Sequence, residues 1–126
     1  MSDAGSNTPS LWFRVLLAHG QLGPGKIALL RLVAETGSVS AAARKLRMSH
    51  ARSVKLVAEL NALGSGPLIE TRTGGEAGGG AVLTDRARKL LAHYETLEIA
   101  IRKAAAPGLV AISTALGADE YATASD

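Results

Sequence analysis

The sequence predicts a mainly α fold in which three short helices follow one another, a β-hairpin comes next, and one long helix closes the order. Three observations carry this. Apolar residues recur at three- and four-residue spacing in four stretches between Lys26 and Ala106. Ser38, Ser40, Ser49 and Thr84 stand where helices need a side-chain acceptor for their first free N–H groups. Two short runs, Pro67 to Arg72 and Ala81 to Thr84, flank the glycine-rich segment GGEAGGG, as the strands of a hairpin flank its tip.

The elements follow in order. Residues 1–10 are small and polar and are expected to be disordered. Leu11 to Ala18 is an apolar run that fits a strand or a buried helical turn; Trp12, Phe13 and Val15 favour the strand. Gly20, Gly23, Pro24 and Gly25 then break the chain. Lys26 to Glu35 reads as a helix with Ile27, Leu30 and Val33 or Ala34 on one face, and Gly37 suits the left-handed position after its end. Ser38 or Ser40 caps a second helix whose Ala42, Ala43 and Leu46 form a narrow apolar face, small enough for a neighbouring helix to approach closely. Ser49 caps a third, from His50 to Leu63, with Val54, Val57, Leu60 or Asn61, and Leu63 along its buried side. Thr84 caps the last helix, Asp85 to Ala106, which Pro107 and Gly108 are expected to end. The segment 107–126 is weakly patterned and fits either a short helix near Val110 to Leu116 or a mobile acidic tail.

At 126 residues the chain suits one domain, here 11–106 between the two end segments. It has no cysteine, which removes disulfides, thiolate metal sites and cysteine nucleophiles together. No apolar run reaches the ~18–20 residues of a membrane span, and the N-terminus lacks the basic cluster of a signal peptide, so a soluble, cytoplasmic protein is expected. His19, His50 and His93 have no acid or cysteine at metal-ligand spacing, and no acid is placed to orient a catalytic base. The glycine loop lacks the Gly-Lys-Ser/Thr of a phosphate cradle. No metal, cofactor or enzymatic activity is expected.

Charge is distributed unevenly. Residues 38–63 hold Arg44, Lys45, Arg47, Arg52 and Lys55 against Glu59 alone, a net of +4, whereas residues 107–126 hold three acids and no base. A basic middle meets a polyanion or is a solvated helical face. The element order decides between them. Helix, short turn, helix, hairpin and long helix make a winged helix-turn-helix, in which the second helix of the pair enters the major groove of DNA and its first turns reach the base edges. Ser49, His50, Arg52, Ser53 and Lys55 lie in those turns, and Arg52 can pair bidentately with guanine. Ser38, Ser40, Arg44, Lys45 and Arg47 are candidate phosphate contacts. Arg86, Arg88 and Lys89 open the last helix beside the wing, where bases oppose the helix dipole and hint at an anionic partner.

The run Gly37 to Leu63, GSVSAAARKLRMSHARSVKLVAELNAL, resembles the helix-turn-helix of LysR-type regulators. Leu68 to Thr84, LIETRTGGEAGGGAVLT, resembles the wing of the molybdate-responsive regulators of the ModE type. The resemblance covers roughly residues 11–106. It implies a recognition helix over about 49–63 and a wing over 72–81 whose Arg72, Thr73, Gly74 and Gly75 approach the sugar-phosphate backbone. It implies that Glu59 and Asn61 are structural, and that the last helix and the N-terminal apolar run pair two subunits. The candidate dimer residues are Trp12, Phe13, Leu90, Tyr94, Leu97 and Ile101. Ala51 departs from the polar or basic residue expected there, so the base readout differs. Molybdate regulators continue into an oxyanion-binding domain, and only about 20 residues follow the last expected helix here, too few for one. Molybdate binding is therefore not expected from this chain alone. The sequence thus predicts a homodimeric, sequence-specific regulator of transcription bound to double-stranded DNA. A protein-binding adaptor and a low-specificity nucleoid-type binder are the alternatives for the same fold.

Overall fold

The computed structural model describes residues 9–72 and 80–117. The element order is β1 (Val15–Leu17), β2 (Gly20–Leu22), α1 (Pro24–Thr36), α2 (Val39–Lys45), α3 (His50–Asn61), β3 (Ile69–Arg72), β4 (Gly80–Leu83) and α4 (Asp85–Ala115). The mainly α winged helix-turn-helix is as the sequence predicts. Among the described residues no helix is long and apolar enough to cross a membrane. The chain divides into two compact units. One is Phe13–Tyr94; the other joins the residues up to Trp12 with those from Glu95 onward.

In the first unit, Leu11 to Ala18 resolves as strand from Val15, paired antiparallel with a second strand that the sequence reading took for a break. Gly20 is the first residue of that strand, opposite Leu17. Its φ of 150° and the Leu63 side chain, 2.8 Å from where a Cβ would stand, leave only glycine a place there. Helix α1 starts at Pro24 rather than Lys26, because proline's missing N–H costs nothing in a first turn. It ends as expected: Gly37 adopts the left-handed conformation and its N–H closes on Val33 O at 2.8 Å.

The core gathers Ile27, Leu29, Leu30 and Val33 of α1 with Ala42 of α2, Leu56 and Leu60 of α3, Leu68, Ile69, Ala81 and Leu83 at the hairpin base, and Ala87 and Tyr94 of α4. Phe13 stacks on Tyr94, with ring centroids 5.6 Å apart. Ala42 and Ala43 of α2 are buried, and Ala42 packs in the core with Ile27, Leu30 and Val33 of α1.

Helix α3 ends at Asn61 rather than Leu63; of the positions that the spacing puts on its buried side, Leu60 is buried and Val57 and Leu63 pack against the core, whereas Val54 does not. Ser53, Leu56 and Leu60 are buried, Val57 is partly so, and Val54 is 52% exposed. The reading failed at Ser53, whose hydroxyl looks polar in the sequence. It is buried because it donates to His50 O at 2.7 Å, back along its own helix.

Three attachments hold the hairpin to the helices. Asn61 Oδ1 accepts from Leu68 N at 2.8 Å and from Ile69 N at 3.0 Å, while its Nδ2 donates to Ile69 O at 3.1 Å. Gly37 O accepts from Ala81 N at 2.9 Å. Thr84 caps α4 by accepting from Ala87 N at 3.2 Å, and its hydroxyl donates to Pro67 O at 2.9 Å. Lys26 ties α1 to two neighbours, with Glu59 Oε1 of α3 at 3.2 Å and Gln21 O of β2 at 2.9 Å. The structural roles expected of Glu59 and Asn61 are thus present as contacts.

Helix α4 is also longer than expected. It runs through Pro107 and Gly108 to Ala115, so residues 107–115 are helix and not tail. A proline inside a helix costs about 3 kcal/mol relative to alanine. Here it follows three alanines, among the best helix formers, and the carbonyl it leaves without a partner belongs to exposed Lys103, within reach of water. In the second unit Arg102 bridges Glu98 at 3.2 Å and donates to Leu11 O at 3.3 Å, fastening the N-terminal segment to this helix. The expected disordered segment 1–10 lies, up to residue 8, outside the described residues, as do 118–126.

Replacing Asn61 by Ala leaves the N–H groups of Leu68 and Ile69, both buried, without their acceptor. At about 1–3 kcal/mol per unsatisfied group, reduced by partial relaxation, a loss of about 2–4 kcal/mol is expected. Thermal unfolding followed by circular dichroism measures it. Asn61→Asp keeps the oxygen that accepts both N–H groups but sets a second oxygen against Ile69 O where the donor stood, and is expected to lie between the wild type and Asn61→Ala.

Candidate nucleic-acid interface

The helix-turn-helix is built from two capped helices and a strained turn. Ser38 caps α2: its Oγ accepts from Ala41 N at 3.1 Å, so of the two alternatives Ser38 serves and exposed Ser40 does not. The helix closes with two bonds, Met48 N to Ala43 O at 3.0 Å and Arg47 N to Arg44 O at 3.1 Å. This pattern places the residue after the helix in the left-handed region, which usually holds glycine. Here it holds Arg47, at φ 55°, the one non-glycine residue with positive φ among those described. Ser49 then opens α3, its Oγ accepting from Arg52 N at 3.1 Å.

The charged groups on this surface share one property. Arg44, Lys45, Arg47, Arg52 and Lys55 are all exposed, and among the described residues none of them lies within ion-pair distance of an acid. The first turn of α3 also contains no acid, so no carboxylate there offsets the positive end of its dipole. Arg44 and Lys45 have a local role too, since they lie in the last turn of α2, where bases complement the helix dipole. No such role is available to Arg47, Arg52 or Lys55.

The other candidates are placed as follows. Ser40, Ser49 and His50 are exposed; Ser38 is half-buried in its capping bond. Ser53 is buried with its hydroxyl committed to His50 O, so it does not present itself to a duplex. Arg72 is exposed at the end of β3, opposite Gly80 of β4. Thr73, Gly74 and Gly75 lie outside the described residues. In α4, Arg88 pairs with Asp85 at 3.1 Å, and Arg86 lies against Gly66, its Nε 3.2 Å from where a Cβ would stand. Of the candidate dimer residues, Phe13, Leu90 and Tyr94 pack in or against the core of their own unit, whereas Trp12 is 60% and Leu97 41% exposed and Ile101 is half-buried. Sequence reasoning missed Val54 as a surface residue of α3. The signal available was Ser53, a residue type able to return its hydroxyl to its own helix. Among the described residues no group of three or more His, Asp or Glu side chains could hold a metal.

Comparison with known proteins places the chain among relatives. The model of the bacterial regulatory helix-turn-helix proteins of the LysR family matches residues 25–88. The chain is 40% identical over 83 residues to the molybdenum-pterin-binding protein MopB of Rhodobacter capsulatus, covering 66% of this chain and 31% of that one. It is 38% identical over 74 residues to the DNA-binding transcriptional dual regulator ModE of Escherichia coli, covering 59% and 28%. With the transcriptional regulator ModE of Haemophilus influenzae it shares 34% identity over 77 residues, 61% and 30%. The matched part thus spans under a third of each relative's length.

The strained turn yields a test with opposite signs. Arg47→Gly removes the left-handed penalty of about 1–2 kcal/mol and adds back part of it as unfolded-chain entropy, so the fold is expected to gain about 0.5–1 kcal/mol. The same change is expected to weaken duplex binding. Chemical denaturation and a binding titration on one preparation measure both.

Proposed function

The chain belongs to the bacterial regulatory helix-turn-helix proteins of the LysR family, and we propose on that footing that it is a sequence-specific, DNA-binding regulator of transcription that acts as a homodimer. The observation that carries the reading is the surface of α2, the turn and α3: five exposed cations without acidic partners among the described residues, beside a helix N-terminus with no acid in its first turn. An unoffset cluster of this kind opposes itself in the free protein and is relieved by a polyanion. Helix α3 enters the major groove. Ser49 and His50 meet the backbone or base edges at its start, Arg52 pairs with guanine, and Lys55 follows one turn later. Arg44, Lys45 and Arg47 hold phosphates on the flank, and Arg72 leads the wing, with Thr73, Gly74 and Gly75, towards the backbone.

Two copies pair through Trp12, Leu97, Ile101 and, further along the same face of α4 at 100° per residue, Ile112. Trp12 is 60%, Leu97 41% and Ile112 59% exposed, apolar surface that pairing removes from water. Pairing sets two recognition helices in successive major grooves, so the operator is an inverted repeat with half-sites a whole number of turns, about 34 Å, apart. The protein works in the cytoplasm, where its DNA is. Molybdenum enters the names of some relatives, but no molybdate site is assigned to these residues.

Binding to a random duplex in a mobility-shift assay is expected to fall steeply between low and physiological salt, because each phosphate contact releases a counterion. A binding constant that does not change with salt sinks the reading and favours a protein-binding adaptor. Arg52→Ala is expected to relax sequence preference, whereas Arg44→Ala or Lys45→Ala lowers affinity for every sequence alike and reduces the salt slope by about one. Equal competition by all sequences points to a nucleoid-type binder. Leu97→Glu is expected to shift the chain to monomer in sedimentation and to abolish preference for the inverted repeat.

A further inference from the structure

We infer that Val54 reads the C5 methyl group of a thymine in each half-site. The inference rests on the duplex-docking reading above and specifies what the centre of the recognition helix recognises. At 100° per residue, the face of α3 opposite buried Ser53, Leu56 and Leu60 carries Ala51, Val54, Lys55 and Ala58. All four are exposed, and only one is charged. Ala51 and Ala58 are small enough to let the helix sit deep in a groove. Val54 is the one bulky apolar side chain among them, and it is 52% exposed.

Nothing local explains a valine there. It is a poorer helix former than alanine, lysine or glutamate because its branched Cβ loses rotamer freedom against the preceding turn. It does not complete the core of its unit, whose α3 contributions are Leu56 and Leu60 with Val57 partly packed against them. Its neighbours on the helix surface are His50 and Ala51 one turn before and Ala58 one turn after, with exposed Lys55 next in the chain and no acid among them. That setting suits a nucleic acid better than an apolar protein surface. In the major groove, thymine alone presents a methyl group; the other edges present donors and acceptors that a valine cannot pair. A branched hydrocarbon in the second turn of the recognition helix, next to exposed Lys55, matches that single feature. The contact also accounts for Ala51, one turn earlier on the same face, where a longer polar side chain would hold the helix away from the base edges.

The test begins with the full chain and a pool of random duplexes. The tightest-binding duplex is remade with uracil replacing each thymine in turn, which removes only the methyl group. Affinities are measured by fluorescence anisotropy for the wild type, Val54→Ala and Val54→Thr. The wild type is expected to lose about three- to fivefold at one thymine per half-site, the worth of one buried methyl group. Val54→Ala is expected to bind the parent duplex weaker by the same factor and to ignore that replacement, with Val54→Thr between the two. A wild type indifferent to every uracil, or an equal penalty in wild type and Val54→Ala, overturns the assignment while leaving DNA binding intact. Absence of salt-dependent binding to any duplex overturns the DNA reading itself. Because Val54 is half exposed and alanine is the better helix former, neither variant is expected to unfold more than a few degrees below the wild type, and the melt is the control.

Discussion

The carboxamide of Asn61 is where the helical half of this protein is joined to its hairpin. One side chain at the end of α3 accepts from two consecutive backbone N–H groups and donates to a carbonyl of β3. Neither Leu68 nor Ile69 has water to fall back on, since both are buried. An amide suits the place because it offers acceptor and donor on one planar group, matched to the edge of an extended strand. The consequence reaches the surface. Arg72 and the start of the wing inherit their direction from Ile69, and Ile69 is held by the same helix whose other end carries Ser49, His50 and Arg52. The recognition helix and the base of the hairpin are therefore joined directly.

The rest of the scaffold fixes how they are presented. Ala42 and Ala43 let α2 approach α1 closely, and the carbonyl of Gly37, released by the left-handed turn between them, accepts from Ala81 at the far strand of the hairpin. Lys26 binds α1 to Glu59 on α3. Attachments from two sides leave α3 little freedom to rotate, so the set of side chains it exposes is defined. Against that rigid frame, Arg47 is an exception to local economy. A non-glycine residue in the left-handed region costs energy that the fold does not recover through any contact of its side chain among those described, and sites that bind ligands are where such costs are commonly kept.

Much of this was legible in the sequence because the responsible interactions are local. Helix starts at Ser38, Ser49 and Thr84 follow from a hydroxyl and an N–H two or three residues away. The end of α1 follows from a glycine able to take positive φ. The exposed cations of α2 and α3 are visible as a cluster in 38–63, since charged side chains stay in water unless paired. Less legible were the contacts that depend on distant parts of the chain. Strand β2 is three residues with a glycine at its head, and only its pairing with the neighbouring strand makes it a strand. Proline and glycine at 107 and 108 carry strong local signals to stop, yet the helix passes them, because flanking alanines and an exposed carbonyl make continuation tolerable.

The sequence by itself determined the element order, the caps, the winged helix-turn-helix and the basic surface, all of which follow from residue type and short spacing. The tertiary structure decided which face of α3 turns outward. Ser53 and Val54 are adjacent, and polarity alone puts the valine inside. What reversed them is the His50 carbonyl, which accepts the serine hydroxyl within the helix and lets it be buried, and the packing of Leu56 and Leu60 into the shared core. A helix has one rotation about its axis, so once those three residues are inside, Val54 is turned out to the surface.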